Sequence, residues 1–240
     1  MRKLLLAAGC WVMALVAAVM GNGSEVVSWG LSHHGNETTP TVSAVGAQLL
    51  KEYDGMYVGD TSKKQVYLTF DLGYEAGYTG EVLDILKEYQ IKGLFFLCGN
   101  YLKQQDLILR MQNEGHQLGN HTNKHRDLPS LSEAGIQQDI SSLQLPTTTK
   151  FFRPPQGRFD AKTLRVAKGL GLRAVLWSLA IADWQKAPKL DVAACTNKIL
   201  ERVHPGAIML FHITNPGTPE MLRSVIPALQ NKGYTFGELV

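Results

Sequence analysis

From Val66 onward the chain alternates short apolar or β-branched runs with segments whose apolar residues recur every three or four positions. The runs cover residues 66–72, 93–98, 116–120, 151–153, 173–179, 207–213 and 234–239. Between the first two, Val82, Ile85, Leu86 and Tyr89 share one helical face, with Thr79 placed to cap it and Gly93 beyond its end. Asp160 precedes a segment carrying Leu164 and Ala167 and ending at Gly169. Asp191 precedes another with Val192, Cys195, Ile199 and Val203, stopped by Pro205-Gly206. Leu222, Val225, Ile226 and Leu229 repeat the spacing before Gly233. Seven strands alternating with helices predict a parallel α/β fold. The repeating part, about 175 residues, falls short of the roughly 250 of a full eight-fold barrel. A shortened, distorted (β/α) barrel of about seven strands is expected rather than an open doubly wound sheet.

Ahead of this pattern, Arg2-Lys3 followed by an uncharged apolar run from Leu4 to Met20 reads as an export signal. The run is longer than most cleaved signal cores and just short of a membrane span, so cleavage and retention as an anchor are both open. Either way the positive end stays in the cytoplasm and the rest emerges outside. The expected division is a leader over 1–23, an amino-terminal extension over 24–65 with a short helix near 47–53, and a catalytic domain over 66–240.

Composition narrows the function. With 45% hydrophobic residues the chain can bury one good core. Its net charge of +3 falls to +1 without Arg2 and Lys3, and no basic block occurs elsewhere, which argues against nucleic-acid binding. Membrane contact is expected only through the amino-terminal segment. Beyond Cys10, the cysteines are Cys98 and Cys195, too few for a disulfide framework; Cys98 lies in an apolar run and is expected to be buried and inert.

His121 and His125 are spaced to share one side of a helical turn and so to reach a single metal ion. Asp71, His121, Arg153 and His212 all fall at or just past the carboxyl end of a predicted strand, and Asp183 follows another closely. That rim is where parallel α/β folds bind ligands and carry out chemistry. Taken singly, each residue has a structural explanation; five on one rim, from separate strands, point to a site. The set suits metal-assisted hydrolysis of an amide or ester, with a carboxylate to take a proton from water and an imidazolium to give one to the departing atom.

With these residues in view, the chain resembles the polysaccharide deacetylases, the NodB-homology group of carbohydrate esterases. Thr69-Phe70-Asp71, His121-Thr122-Asn123-Lys124-His125, Arg153-Pro154-Pro155-Gln156-Gly157, Asp183-Trp184 and Leu210-Phe211-His212 are similar to that family's five motifs, in order. The resemblance implies metal-dependent removal of acetyl groups from a polysaccharide. Asp71 would be the general base, Arg153 its partner, His212 the general acid, Asp183 the residue that tunes it, and His121 and His125 the ligands of zinc, cobalt or a similar divalent ion. Tyr74, Pro154, Trp184 and Leu210 are the substrate-binding candidates. Tyr53-Asp54-Gly55-Met56-Tyr57-Val58-Gly59, Gly73-Tyr74-Glu75-Ala76-Gly77-Tyr78-Thr79, Trp177-Ser178-Leu179-Ala180 and His204-Pro205-Gly206-Ala207-Ile208 are further similar to the delta-lactam-biosynthetic de-N-acetylases of spore-forming bacteria. Those enzymes act on the peptidoglycan glycan strand, at muramic acid residues stripped of peptide.

One position departs from the pattern. Most of the wider family carries a second, metal-ligating aspartate after the base; here it is Leu72, which has no donor atom. Two neutral imidazoles are fewer than the three protein ligands usual at a catalytic zinc, so the metal is expected to be weakly held unless Asp71, Glu75, Asn123 or water completes the shell. The alternatives to a peptidoglycan deacetylase are a catalytically silent glycan-binding protein of sporulation or the cell wall, and a general deacetylase of chitin or xylan type.

Overall fold

The computed structural model describes residues 25–185 and 187–240, so the expected leader lies outside the described residues. Among the described residues, no helix is long and apolar enough to cross a membrane. The chain runs β1 (Val27–Ser28), α1 (Ala44–Glu52), β2 (Gln65–Leu72), α2 (Thr79–Glu88), β3 (Leu94–Leu97), α3 (Gln105–Asn113), β4 (Gln117–Asn120), α4 (Glu133–Ser141) and β5 (Phe151–Phe152). It continues with β6 (Arg158–Phe159), α5 (Ala161–Gly169), β7 (Arg173–Ala174), β8 (Leu179–Ala180), α6 (Val192–Arg202), β9 (Ile208–His212), α7 (Thr218–Asn231) and β10 (Thr235–Phe236).

The sheet is parallel, in the order β7-β5-β4-β3-β2-β9-β8, with β10 alongside the start of β2. The run expected as one strand over 173–179 divides in two. Its start, β7, pairs with β5 at one edge, and its end, β8, pairs with β9 at the other. One bent segment thus bridges both edges and closes a shortened, distorted barrel of the expected kind. The seam beside the bend is filled by Met56, which exchanges backbone hydrogen bonds with Ala174 and Leu176, and by Gly59, whose N–H donates to the carbonyl of Gly206. The amino-terminal segment is therefore bonded into the barrel; Val27 and Leu50 are buried with Phe152, Phe159, Leu164 and Leu176.

Strand alternation sorts β2 into two faces. Val66, Leu68, Phe70 and Leu72 lie in the layer between sheet and helices, with Val82, Leu83, Leu222 and Val225. Tyr67 packs inside the barrel with Phe96, Phe151, Val175 and Ile208, and Thr69 and Asp71 follow it on that face. Asp160 and Asp191 cap α5 and α6 as expected, accepting from Thr163 N and Ala194 N at 2.7 and 2.9 Å. Thr79 does not cap α2. It is the first helical residue, and Glu75 takes the capping role, accepting from the Gly77 N–H at 2.6 Å and from the Thr79 N–H at 3.3 Å.

Candidate active site

The carboxyl ends of five strands of the sheet supply the site. Asp71 and His212 are register partners on β2 and β9. His121 directly follows β4, and Arg153 directly follows β5. Asp183 comes from the loop after β8.

Asp71 and Arg153 form a buried ion pair, Nη1 to Oδ1 at 2.8 Å. The guanidinium is fully enclosed: Nε donates to the Val175 carbonyl at 2.8 Å, Nη2 to that of Leu176 at 3.3 Å, and its Cζ lies over the Phe96 ring, 4.2 Å from the ring centre. Every bond fixes the fork that holds Asp71. Burial pushes the Asp71 carboxyl up, but Arg153, His121 and His212 together hold it below its ordinary value. It is an anion at neutral pH with one oxygen, Oδ2, turned toward His121 at 3.5 Å.

Asp183 grips His212 twice, accepting from the backbone N–H at 2.7 Å and from Nδ1 at 2.9 Å. The tautomer is thereby set, leaving Nε2 as the other ring nitrogen for the cavity. Burial pulls the imidazole down, yet the Asp183 charge outweighs it and His212 ends above its ordinary value.

The two histidines of the second motif do not lie on a helical turn. Residues 121–127 form an irregular loop in which Thr122 and His125 take left-handed backbone angles, φ 65° and 51°. Local polar bonds replace the helix: Asn120 Oδ1 accepts from the Thr122 N–H, and Thr122 Oγ1 accepts from the His125 N–H. Asp139 on α4 fastens the loop, accepting from Lys124 N and Arg126 Nε. The pair still converges, with ring centres 4.9 Å apart. His121 Nδ1 donates to the Arg153 carbonyl at 2.8 Å, which leaves Nε2 unprotonated and facing Asp71. Burial lowers its pKa to about 4, so the ring is a neutral donor at physiological pH. These are the properties a metal-binding imidazole needs.

Of the donors expected to complete a metal shell, Asp71 stays beside His121 through Oδ2, while Glu75 is turned to α2. Leu72 lies in the sheet–helix layer at 1% exposure, on the strand face opposite Asp71. Glu75 is engaged by α2 and by the Tyr101 hydroxyl at 2.8 Å. Among the described residues, the group of three with ligand atoms mutually within 4.8 Å is Cys98, His121 and His125.

Asp71, His121, His125 and His212 line one cavity of about 830 Å³. Tyr74, Trp184 and Leu210 line it as well, Tyr74 and Trp184 being exposed at 42% and 53%. Pro154 is buried and does not line it; Gln156 and Gly157 of the same motif do. Gly157 has φ +64°, and a Cβ there would lie 2.7 Å from the Trp177 ring, so only glycine fits beside that indole. Trp177 both packs against the barrel interior and lines the cavity. Lys198 and Arg202, one turn apart on α6, complete the rim. Nothing in the sequence singled them out, because their strand-end neighbours become visible only once β8 and β9 pair.

Comparison with known proteins agrees with this geometry. The polysaccharide deacetylase family model matches residues 58–175. Peptidoglycan-N-acetylmuramic acid deacetylase PdaA of Bacillus subtilis is 37% identical over 221 residues, covering 89% of this chain and 84% of that protein. The solved structure of Bacillus subtilis PdaA, a family 4 carbohydrate esterase, is similar with a TM-score of 0.84 at 36% identity, covering 88% of this chain and 94% of that one. A family 4 pseudoenzyme from Bacillus anthracis is also similar, with a TM-score of 0.71 at 27% identity, covering 76% of this chain and 66% of that one. On its sequence, its barrel and its relatives, the chain belongs to the polysaccharide deacetylase family.

Proposed function

We propose that this protein is an exported peptidoglycan N-deacetylase that hydrolyses the acetamido groups of muramic acid, freeing the amine that closes a delta-lactam in the spore cortex. The observation that carries the hydrolytic reading is the pairing of Asp71–Arg153 with His212–Asp183 across adjacent strands, above one cavity shared with His121 and His125. The muramic acid assignment draws on the likeness to PdaA and on Lys198 and Arg202 at the rim, since a peptide-stripped muramic acid presents a free carboxylate. The expected leader would deliver the chain outside the cytoplasmic membrane, cleaved or kept as an anchor, with residues 66–240 as the catalytic domain.

Asp71, held ionised by Arg153, accepts a proton from water as the water oxygen adds to the acetyl carbon. Arg153 keeps that carboxylate oriented and charged through the step. His212, charged through Asp183, then gives its Nε2 proton to the amide nitrogen as the C–N bond breaks. Acetate and a glycan amine leave, and the proton on Asp71 returns to solvent or to His212. A divalent ion held by His121 and His125 would lower the pKa of the attacking water and polarise the acetyl oxygen. Its hold is proposed to be weaker than with a carboxylate at position 72.

Leu72 and the likeness to a pseudoenzyme favour one second reading, a silent glycan-binding protein. Acetate release from peptide-stripped peptidoglycan, with chelator and with added zinc or cobalt, separates the two. Metal-dependent release is expected. A folded protein that binds the glycan and releases no acetate under any metal condition is the silent one.

A further inference from the structure

We propose that Cys98 is the third protein ligand of the metal centre, its thiolate standing in for the carboxylate that Leu72 cannot supply. This rests on the metal-dependent reading above and concerns the ligand set alone. Cys98 directly follows β3, whose neighbours β2 and β4 carry Asp71 and lead to His121. It is 3% exposed, its Sγ–H donates to the His121 carbonyl oxygen at 3.3 Å, a proton that metal binding would displace, and its ligand atom and those of His121 and His125 are all within 4.8 Å of one another.

The spacing fits one ion. With bonds of about 2.3 Å to sulfur and about 2.0 Å to nitrogen, tetrahedral geometry separates the donors by roughly 3.3–3.5 Å. At most about 1.5 Å of closure is needed, and His125, exposed on an irregular loop, can supply it by side-chain rotation.

The backbone is built for this approach. Gly99 N–H donates to the carbonyls of Thr122 and Asn123 at 3.3 and 3.2 Å, drawing the histidine loop against the end of β3. A Cβ on Gly99 would lie 1.9 Å from Asn123 Oδ1 and 2.5 Å from Asn123 O, so a side chain there would push the loop off Cys98. Of the other candidate donors, Glu75 is committed to capping α2, and Asp71 is held through Oδ1 by Arg153 with Oδ2 facing His121 at 3.5 Å; Leu72 has no donor and faces the helix layer.

The chemistry follows from the donor set. A thiolate restores the negative charge that two imidazoles lack, and three protein ligands leave the fourth position open, as at a catalytic zinc. Sulfur also shifts preference away from magnesium and manganese toward zinc and other softer ions. Asp71 is then left free to act as the base.

Cobalt(II) tests the assignment spectroscopically in the full-length protein, with Cys10→Ser and Cys195→Ser removing the other thiols. One equivalent is expected to give visible d–d bands and a near-ultraviolet sulfur-to-cobalt charge-transfer band. Cys98→Ser, close in shape and so retaining the fold, is expected to lose the near-ultraviolet band and to weaken zinc binding at least tenfold by calorimetry. Visible bands that vanish in His125→Ala, without any near-ultraviolet band in the parent, would overturn Cys98 as ligand and leave the deacetylase reading standing. No binding of cobalt or zinc by the parent would overturn the ligand set and the metal-dependent reading together.

Discussion

Arg153 reaches Asp71 across 82 positions of sequence, Nη1 to Oδ1 at 2.8 Å, with the guanidinium fully enclosed and the carboxylate open only to the cavity it lines. Removing the guanidinium leaves a buried carboxylate without its counter-charge. Arg153→Met is expected to cost about 3–5 kcal/mol in urea unfolding and to raise the Asp71 pKa, moving the acidic limb of the pH–rate profile upward. A variant with wild-type stability and an unmoved acidic limb would show that the pair is dispensable.

Asp71→Asn keeps an acceptor for Arg153 and abolishes the basic oxygen. Turnover on acetylated glycan is expected to fall by roughly 10²–10⁴-fold, with the circular dichroism spectrum unchanged. Unchanged kcat removes Asp71 as the base.

Asp183 sets the pH range through His212. Activity that needs protonated His212 is fully present below its pKa and is lost as pH rises through it. In the native protein Asp183 raises that pKa above its ordinary 6.5, against the lowering effect of burial, with Asp71 adding to the rise and Arg153 opposing it. Asp183→Asn removes the largest raising charge, so the alkaline limb of kcat/KM is expected to move to lower pH. A limb that stays in place means another group donates the proton.

Most of the barrel was legible because strands buried on a parallel sheet announce themselves as continuous apolar runs, and helix caps such as Asp160 and Asp191 sit where polar residues meet apolar periodicity. Asp71, Arg153 and His212 were legible as strand-end polar residues for the same reason. The bend that splits 173–179 was not, because it arises from pairing with β5 and β9 at once. The histidine loop misled through its four-residue spacing, which fits a helix until Asn120, Thr122 and Asp139 are seen to bond the backbone into left-handed turns. Cys98 is buried, as its apolar flanks predicted, but its place beside His121 was not legible, because only β4 pairing with β3 creates it.

His116 gives the fold its own pH dependence. Its Nδ1 accepts from the Gly93 N–H at 3.1 Å, and burial, with Lys92 nearby, pulls its pKa down to about 4. Between pH 6.5 and 4 the unfolded chain takes up a proton that the folded chain refuses, so stability falls as pH falls. The loss at pH 4.5 is about 2–3 kcal/mol for this residue. His116→Gln is expected to show a smaller drop in unfolding free energy between pH 7 and pH 4.5 than the native protein. Equal drops assign the acid sensitivity to other groups.

Lys198 and Arg202 lie four residues apart on α6, so both side chains leave the same face, and both line the cavity beside Trp184 and His212. A muramic acid residue without peptide carries a lactyl carboxylate, whereas a chitin unit is neutral at that carbon. Cations at the rim stabilise the bound ground state and the transition state alike, because the lactyl charge does not change during amide hydrolysis. Lys198→Ala combined with Arg202→Ala is therefore expected to raise KM on peptide-stripped peptidoglycan by about tenfold, with little change in kcat. KM on chitooligosaccharide should stay where it was. The difference should shrink as salt is added, since the contacts are solvent-facing and screened within about 10 Å at 0.1 M. An equal rise on both glycans would mean that the two residues shape the cavity without reading charge, and the muramic acid assignment would lose its structural support.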